Sequence, residues 1–169
     1  AMFEGMIVSQ PVDKLKTQVK GYSVTPITER MLKKHKLGDV IAEICDMTEL
    51  EREIRQGLEN GLPVYGFFRN KQMWSCFIFD KEDIARSELT PEPESGKDVL
   101  SIYKLRKYYI HPEVENLADD MMEVAHSNVY QNVIIPSGAP VVLSRLHTYI
   151  LSLKKNPSLF PSPNTSITF

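Results

Sequence analysis

Four carboxylates and a histidine lie close together where an apolar stretch of this sequence passes into a helix-like pattern. His111 precedes Pro112, and the acids follow shortly after it (Glu113, Glu115, Asp119 and Asp120). A helix N-terminus carries unpaired N–H groups and a partial positive charge, which together bind anions such as a pyrophosphate. Acidic side chains in the same turn complement that charge themselves and repel a phosphate. Two interpretations follow: an anion site, or a helix start stabilised by its own acids.

The elements on either side of His111 follow from residue type and period. Residues 100–110 are rich in aromatic and branched side chains, which favours a strand, and Pro112 cannot donate to a ladder, so the strand should end there. Beyond it, apolar residues recur on one face of a helix (Leu117, Ala118, Met121, Met122 and Ala125). Asn116 is the expected N-cap, with Asp119 three residues later as in a capping box.

Composition bounds the class of protein. The chain has 169 residues, of which 42% are hydrophobic and 25% charged, as in one ordinary globular domain. We expect a domain over residues 2–155, with an N-terminal arm at 2–21, and a Pro-containing tail at 156–169. A net charge of -2 gives no reason to expect nucleic acid or an anionic membrane as a partner.

The location and the cysteine chemistry are expected to be those of a cytoplasmic protein. No apolar run approaches the roughly 20 residues that span a bilayer, and the first residues lack the pattern of a signal peptide. Cys45 and Cys76 have no metal-ligand spacing, and no metal site is expected. We interpret them as small buried hydrophobes in a reducing compartment, the alternative being a disulfide or a reactive thiol.

The first half of the chain predicts a strand, two helices and a hairpin. Residues 22–27 alternate as a strand, Thr28 caps a helix, and an apolar face continues past Gly38 through residues 37–44. Thr48 and Glu51 form a capping box for a second helix that ends at Asn60-Gly61. His35 belongs to the basic cluster KKHK, which we interpret as a solvated helix face.

A hairpin and an acidic loop follow. Residues 62–79 form two apolar runs around the polar turn 69–72, and Phe67 and Trp74 are expected in the core or in cross-strand pairs. Residues 80–98 hold seven acidic and three basic residues and several Pro and Gly, which predicts an irregular loop with a net charge of -4. Such a loop is either a solvated surface or an attractor of cations.

The last part of the chain predicts one more strand and one more helix. Residues 129–135 are a branched run that ends at a Pro-Ser-Gly turn, which is typical of a strand. Pro140 suits a helix's first turn, and apolar residues follow at helical spacing (Val142, Leu143, Leu146, Tyr149, Ile150 and Leu153).

This order of elements, together with the segment YYIHPEVENLADDMMEVA, resembles the GNAT superfamily of acyl-CoA-dependent N-acyltransferases. The resemblance covers roughly residues 22–153. The hairpin GLPVYGFFRNKQMWSCFIF is similar to the family's second and third strands, IHPE to the end of the fourth strand, and LADDMMEVA to the helix that follows it. The implied fold is a single α+β domain with a mixed, mainly antiparallel sheet flanked by helices.

The family's most specific motif is absent. Between the fourth strand and its helix the family usually has Arg or Gln, then Gly, any residue, Gly, and Gly or Ala, whose backbone amides hold the CoA pyrophosphate. This chain has Val114-Glu115-Asn116-Leu117-Ala118 instead, with neither a glycine nor a basic residue. Without glycine the backbone approaches a phosphate less closely, and the carboxylate adds repulsion.

The resemblance also implies a chemistry and its residues. In the family an amine attacks the thioester of acetyl-CoA or another acyl-CoA, which would be bound here by Tyr109, Ile110 and the start of the helix at Asn116, Leu117 and Ala118. His111 matches the strand end and is a candidate base, because an imidazole accepts a proton near neutral pH. Tyr149 corresponds to the family's frequent acid. The alternatives are a capping or turn residue for His111 and a core tyrosine for Tyr149.

The implied function is transfer of an acyl group to an amine acceptor, either a small molecule or a peptide. The acidic loop favours a cationic acceptor such as a polyamine or a Lys-containing peptide. The family commonly finishes with two further strands, whereas residues 156–169 are expected to offer at best a short piece at 166–169. Either the sheet is truncated or a partner completes it, and a homodimer is one way to cover the sheet edge. The alternatives are a non-catalytic GNAT-like binding or interaction protein and an unrelated α+β regulatory module.

Overall fold

A computed structural model describes residues 15–85, 99–137 and 141–143, with backbone only at 84, 85, 99, 100 and 141–143. The strands form one sheet in the order β1-β2-β3-β4-β5. Neighbouring strands from β1 to β4 are antiparallel, and β4 and β5 are parallel. The strands are β1 Ser23–Pro26, β2 Val64–Arg69, β3 Gln72–Ala85, β4 Val99–Ile110 and β5 Val141–Leu143.

The helical elements connect these strands and cover both faces of the sheet. Between β1 and β2 lie α1, a short 3₁₀ turn and α2; between β4 and β5 lie a second 3₁₀ turn, α3, a π-helical segment and α4. Their bounds are α1 Glu29–Lys33, the first turn Ile41–Glu43, α2 Met47–Glu59, the second turn Pro112–Leu117, α3 Ala118–Val129, the π segment Tyr130–Ile134 and α4 Ile135–Ser137.

Helix α1 begins as predicted and ends early. Its N-cap is Thr28, whose hydroxyl accepts the N–H of Met31 at 3.3 Å. The chain leaves the helix at His35, which has a left-handed φ of 51°, so the predicted helical face over residues 37–44 is wrong. Leu37 and Ile41 are nevertheless buried, because a turn through Gly38 brings them to the core. The basic cluster is exposed, but it extends beyond the helix.

Helix α2 starts two residues before the predicted capping box. The N-cap is Asp46, whose Oδ1 accepts the N–H groups of Thr48 at 2.8 Å and Glu49 at 3.3 Å. A carboxylate so close to the helix start satisfies these donors and complements the dipole, which places Thr48 inside the first turn. The predicted end is confirmed, since Asn60 is the C-cap and Gly61 has a φ of 68°.

The predicted hairpin is confirmed, and its second strand is longer than expected. Asn70 and Lys71 both have positive φ, 53° and 61°, as the turn between two tightly paired strands requires. Strand β3 continues to Ala85 and pairs with β4 along its whole length, so residues 80–85 are not part of a loop. The rest of the predicted acidic loop, residues 86–98, lies outside the described residues.

Strand β4 ends at Ile110 as predicted, and it contains a β-bulge. Ile78 pairs with Lys107 and Phe79 pairs with Leu105, which leaves Arg106 as the extra residue. A bulge lets two consecutive side chains share a face and increases the local twist of the strand. Both Arg106 and Lys107 reach α2 as a result, where each lies near Glu53.

The predicted start of α3 is wrong by one residue. The chain forms a 3₁₀ turn over Pro112–Leu117, and Leu117 occupies the N-cap position of α3 without any side-chain cap. His111 caps the turn instead, because its Nδ1 accepts the N–H of Glu113 at 3.2 Å. Asn116 therefore lies inside the 3₁₀ turn and is not the N-cap.

The strand predicted at residues 129–135 is wrong. Val129 ends α3, and the chain continues in helical geometry through the π segment and α4. Val129 is fully buried against the sheet, and the Asn128 amide donates to the carbonyl of Val124 at 2.9 Å, so packing and a local hydrogen bond hold the helix despite the branched residues. The following strand is β5.

The predicted last helix is wrong in its first residues. Val142 and Leu143 belong to β5, which pairs in parallel with Ser101–Tyr103 of β4, because the sheet provides a partner that an amphipathic pattern does not reveal. The remainder of that predicted helix, with Tyr149, and the tail 156–169 lie outside the described residues.

Two apolar cores lie on opposite faces of the sheet. One packs α3 and the segment before β1 against the sheet, and it includes Leu15, Val19, Phe67, Phe77 and Met121. The other packs α1 and α2, and it includes Leu32, Ile54, Met73, Cys76 and Ile78. The core positions predicted for Phe67 and for the half-buried Trp74 are confirmed. Cys76 is buried, and the half-buried Cys45 donates to the carbonyl of Ile41.

No helix among the described residues is long and apolar enough to cross a membrane. The sheet order and the helices on both of its faces define an α+β domain with a mixed, mainly antiparallel sheet.

Candidate functional site at the end of strand β4

The candidate site lies where β4 ends and the chain turns toward α3. Strands β4 and β5 are parallel neighbours, and α3 lies between them in sequence. Ligands of sheets with parallel strands commonly bind beyond the carboxyl ends of those strands, where loops and helix N-termini meet. In this protein that position holds His111, the 3₁₀ turn and the start of α3.

His111 is held by its backbone, by a neighbouring aromatic ring and by a partner at each ring nitrogen. Its backbone N–H donates to the carbonyl of Trp74 at 3.0 Å, and its ring meets the Trp74 indole edge to face with centroids 5.1 Å apart. Nδ1 accepts the N–H of Glu113, and Nε2 lies 2.8 Å from Oε1 of Glu43. Because Nδ1 accepts, a neutral ring carries its proton on Nε2 and donates it to Glu43.

Glu43 is the site residue that sequence reasoning missed. It comes from the 3₁₀ turn between α1 and α2, 68 positions before His111. Its side chain is 64% exposed, whereas that of His111 is 8% exposed, so the carboxylate is the part of the pair that solvent reaches. No motif near Glu43 marks it, because only the packing of the turn against the sheet brings it to the end of β4.

The start of α3 is rich in acids. Asp119 and Asp120 lie in its first turn, and Glu113 and Glu115 lie in the turn before it. Lys16 makes an ion pair with Asp120, with Nζ and Oδ1 2.6 Å apart. That hydrogen bond and the charge of Asp120 raise the pKa of Lys16. The acids therefore complement the helix dipole, and Lys16 partly neutralises them.

The residues predicted to bind a cofactor divide between the strand end and the helix start. Tyr109 is buried on the α2 face, where burial raises the pKa of its hydroxyl, and Ile110 is buried on the α3 face. Leu117 is half-buried, Ala118 is buried, and Asn116 is exposed. Of these five, only Asn116 offers an exposed side chain, so any contact with the others would have to use backbone groups.

The ammonium of Lys107 lies 5.3 Å from the centre of the Tyr109 ring, beside the site. Nζ of Lys107 is 3.8 Å from Oε1 of Glu53, and Arg106 reaches the other Glu53 oxygen at 3.3 Å. This network joins α2 to the bulge of β4. It holds the last residues of the strand in place behind the site.

The turn does not fit a pyrophosphate. A nest of amides needs residues that alternate between right-handed and left-handed backbone, and no residue from Pro112 to Ala118 has a positive φ. The exposed side chains of Glu113 and Glu115 add negative charge. The turn therefore offers a pyrophosphate neither a nest of amides nor a favourable charge.

A metal does not explain the acids either. Among the residues that the structure describes, no group of three or more His, Cys, Asp or Glu side chains is arranged to hold a metal ion.

The mixed, mainly antiparallel sheet with helices on both faces agrees with the α+β fold that the GNAT resemblance implies. Similar solved structures include aminoglycoside acetyltransferases. The aminoglycoside antibiotic 6'-N-acetyltransferase AAC(6')-IG from Acinetobacter haemolyticus is 10% identical over 87% of this chain and 95% of its own, with a TM-score of 0.44. AtaT, complexed with acetyl-methionyl-tRNAfMet, is 16% identical over 88% of this chain and 94% of its own, with a TM-score of 0.49.

A third similar structure is an aminoglycoside acetyltransferase, meta-AAC0020, from an uncultured soil metagenomic sample, in complex with sisomicin. It is 12% identical over 88% of this chain and 94% of its own, with a TM-score of 0.42. No protein-family model matches the chain, and no curated protein matches its sequence significantly. At these identities and TM-scores the likeness says nothing of this chain's substrate.

Proposed function

We propose that this protein is a GNAT-type N-acyltransferase, which transfers an acyl group from acetyl-CoA or another acyl-CoA to a cationic amine. The observation that carries the proposal is the parallel β4–α3–β5 unit, in which a polar, solvent-facing turn joins β4 to α3. The carboxyl end of β4 is where such a unit binds its ligands. The segment IHPE, which carries part of the family resemblance, occupies that same end.

The charge at this end favours an amine. Glu43, Glu113 and Glu115 are exposed there, and the acids at the start of α3 lie beside them. A protonated amine approaching this surface is attracted, and a polyanion is repelled. The proposed acceptor is therefore a polyamine or a Lys-containing peptide.

The pair of Glu43 and His111 is the proposed centre of proton transfer. An amine must lose a proton before or as it attacks a thioester, and the accepting group must lie within reach of it. Glu43 is the exposed member of the pair, and the hydrogen bond from His111 orients its carboxylate. In this proposal His111 acts through Glu43. A role for Tyr149 as the acid stays a prediction.

The acidic turn supports a second candidate, a non-catalytic GNAT-like protein that binds a cationic partner. Such a protein would keep the fold and the amine-binding surface without holding CoA. The absence of glycine and of positive φ between Pro112 and Ala118 favours this alternative.

Calorimetric titration of acetyl-CoA separates the two candidates. We expect the wild-type protein to bind acetyl-CoA with a dissociation constant in the high micromolar range or weaker. Glu115→Arg should tighten binding about tenfold, equal to about 1.4 kcal/mol, because it replaces a repelling carboxylate with a phosphate partner.

The matched control is Glu59→Arg, which makes the same charge change at an exposed position at the end of α2. It should leave the affinity within about twofold, which is less than 0.5 kcal/mol. If neither the wild type nor Glu115→Arg binds acetyl-CoA, the non-catalytic candidate replaces the enzyme. Tight binding by the wild type would show that the acidic turn does not limit CoA affinity.

A further inference from the structure

A second site lies beside the turn of the β2–β3 hairpin, on the face of the sheet that carries α1 and α2. It is a surface pocket of about 490 Å³. Its apolar walls include Met31 and Phe68, and its polar walls include His35, Lys36 and Lys71. The volume suits a small molecule, since ligand pockets commonly measure about 300–1,000 Å³.

The lining of this pocket is basic. Its described lining residues include two lysines and a histidine but neither Asp nor Glu. No ion pair within residues 15–85, 99–137 and 141–143 joins Lys36, Lys71 or His35 to a carboxylate. Two ammonium groups that line one cavity repel each other, and an oxyanion placed between them turns that repulsion into attraction.

Two backbone hydrogen bonds at the end of α1 hold one wall in place. His35 has a φ of 51° at the end of α1, where a glycine is usual. Its N–H donates to the carbonyl of Leu32 at 3.2 Å, and the N–H of Lys36 donates to that of Met31 at 2.9 Å. A left-handed residue other than glycine costs about 1–2 kcal/mol, and here it puts an imidazole and an ammonium side by side at the pocket.

The opposite wall is held by the hairpin. Lys71 is the second of its two left-handed turn residues, and Gln72 follows it. Oε1 of Gln72 accepts the N–H groups of Asp39 at 2.7 Å and Val40 at 3.2 Å, which fastens the segment after α1 to the hairpin. The two walls are therefore fixed relative to each other before any ligand binds, which lowers the entropic cost of binding.

We infer that this pocket binds a small phosphate monoester with an apolar body. The phosphate lies between the ammonium groups of Lys36 and Lys71 and the imidazole of His35, and the apolar part packs on Met31 and Phe68. A dianionic phosphate has three terminal oxygens for these three donors, and lysine is a common phosphate ligand. The pocket shares no residue with the end of β4, so the inference is independent of the proposed function.

Phenyl phosphate is the probe, titrated calorimetrically into the full chain at low salt. We expect a dissociation constant of about 1 mM or tighter. The double variant Lys36→Gln/Lys71→Gln should weaken binding at least about tenfold. The matched control is Lys33→Gln/Lys34→Gln, which removes the same total charge at exposed residues near the pocket that do not line it, and it should change the affinity less than about twofold.

Three further probes test the chemistry of the ligand. Benzyl alcohol, which lacks the anion, should not bind, and inorganic phosphate and benzoate should each bind more weakly than phenyl phosphate. The four lysines are exposed, so thermal unfolding should show both double variants folded. If the two double variants weaken phenyl phosphate binding equally, or if the wild-type protein does not bind phenyl phosphate, the proposed site is wrong. Binding of benzoate as tight as that of phenyl phosphate would overturn the phosphate assignment.

Discussion

Replacing Glu53 with Gln tests the network that holds the end of β4. The substitution keeps the side chain's shape and removes the negative charge that faces both Arg106, at 3.3 Å, and Lys107, at 3.8 Å. The three side chains are only 20%, 28% and 13% exposed, so water replaces the lost charge poorly. We expect the free energy of unfolding to fall.

The expected loss of unfolding free energy in Glu53→Gln lies between two limits. Breaking a fully buried ion pair by removing one partner costs about 3–5 kcal/mol, whereas an exposed pair contributes about 0.2–1 kcal/mol. Glu53 is mostly buried, and Lys107 retains a second acid, since Glu49 lies 4.0 Å from its Nζ. We therefore expect a loss of about 2 kcal/mol, which moves the midpoint of urea unfolding by about 1 M.

The assay is urea unfolding followed by the fluorescence of Trp74, the only tryptophan of the chain. The control is Glu29→Gln, which breaks the pair of Glu29 and Arg55, whose side chains are 46% and 40% exposed. That variant should lose about 0.5 kcal/mol. If Glu53→Gln costs no more stability than Glu29→Gln, burial does not strengthen the ion pairs of Glu53.

Two further predictions concern a glycine and a tyrosine. Gly38→Ala should lower the free energy of unfolding by about 2 kcal/mol, because φ is 79° and a Cβ would lie 2.3 Å from Oε1 of Gln72. Gly21→Ala should cost about half as much, because its φ is 86° but no atom lies within 4 Å of the added Cβ. If the two variants lose similar stability, the contact with Gln72 does not add to the cost at position 38. Burial raises the pKa of Tyr108 from 10.0 to about 12, so its contribution to stability is complete below pH 10 and is lost as the pH rises through 12. Between pH 9 and about pH 11 the urea midpoint should therefore fall less in Tyr108→Phe than in the wild type. An equal fall in the two proteins would show that Tyr108 does not cause it.

Short-range signals predicted the elements whose residues leave little choice. The apolar runs around residues 69–72 fixed the hairpin, and Pro112 marked the end of β4 because it lacks the N–H that a ladder needs. The branched run at 129–135 misled, since its residues favour a strand and yet Val129 packs as part of α3. Tertiary packing overrides local preference at such positions.

The candidate site was predictable only in part for the same reason. The acids at the start of α3 are close in sequence, so their shared position followed from the chain itself. Glu43 lies far from His111 in sequence, and Lys71 lies far from Lys36, so the packing of the turns brought each pair together. The bulge at Arg106 was equally hidden, because an extra residue in a ladder changes the facing of side chains without any change in composition.

The most direct test of the proposed function is acetyl transfer from saturating acetyl-CoA to a polyamine and to a Lys-containing peptide. Release of free CoA thiol gives the rate, and mass spectrometry of the amine identifies the product. We expect slow transfer to these cationic amines, little transfer to neutral amides, and loss of transfer in Glu43→Gln, with Glu59→Gln as the control. Absence of transfer at every acetyl-CoA concentration, or a full rate in Glu43→Gln, would contradict the proposed function.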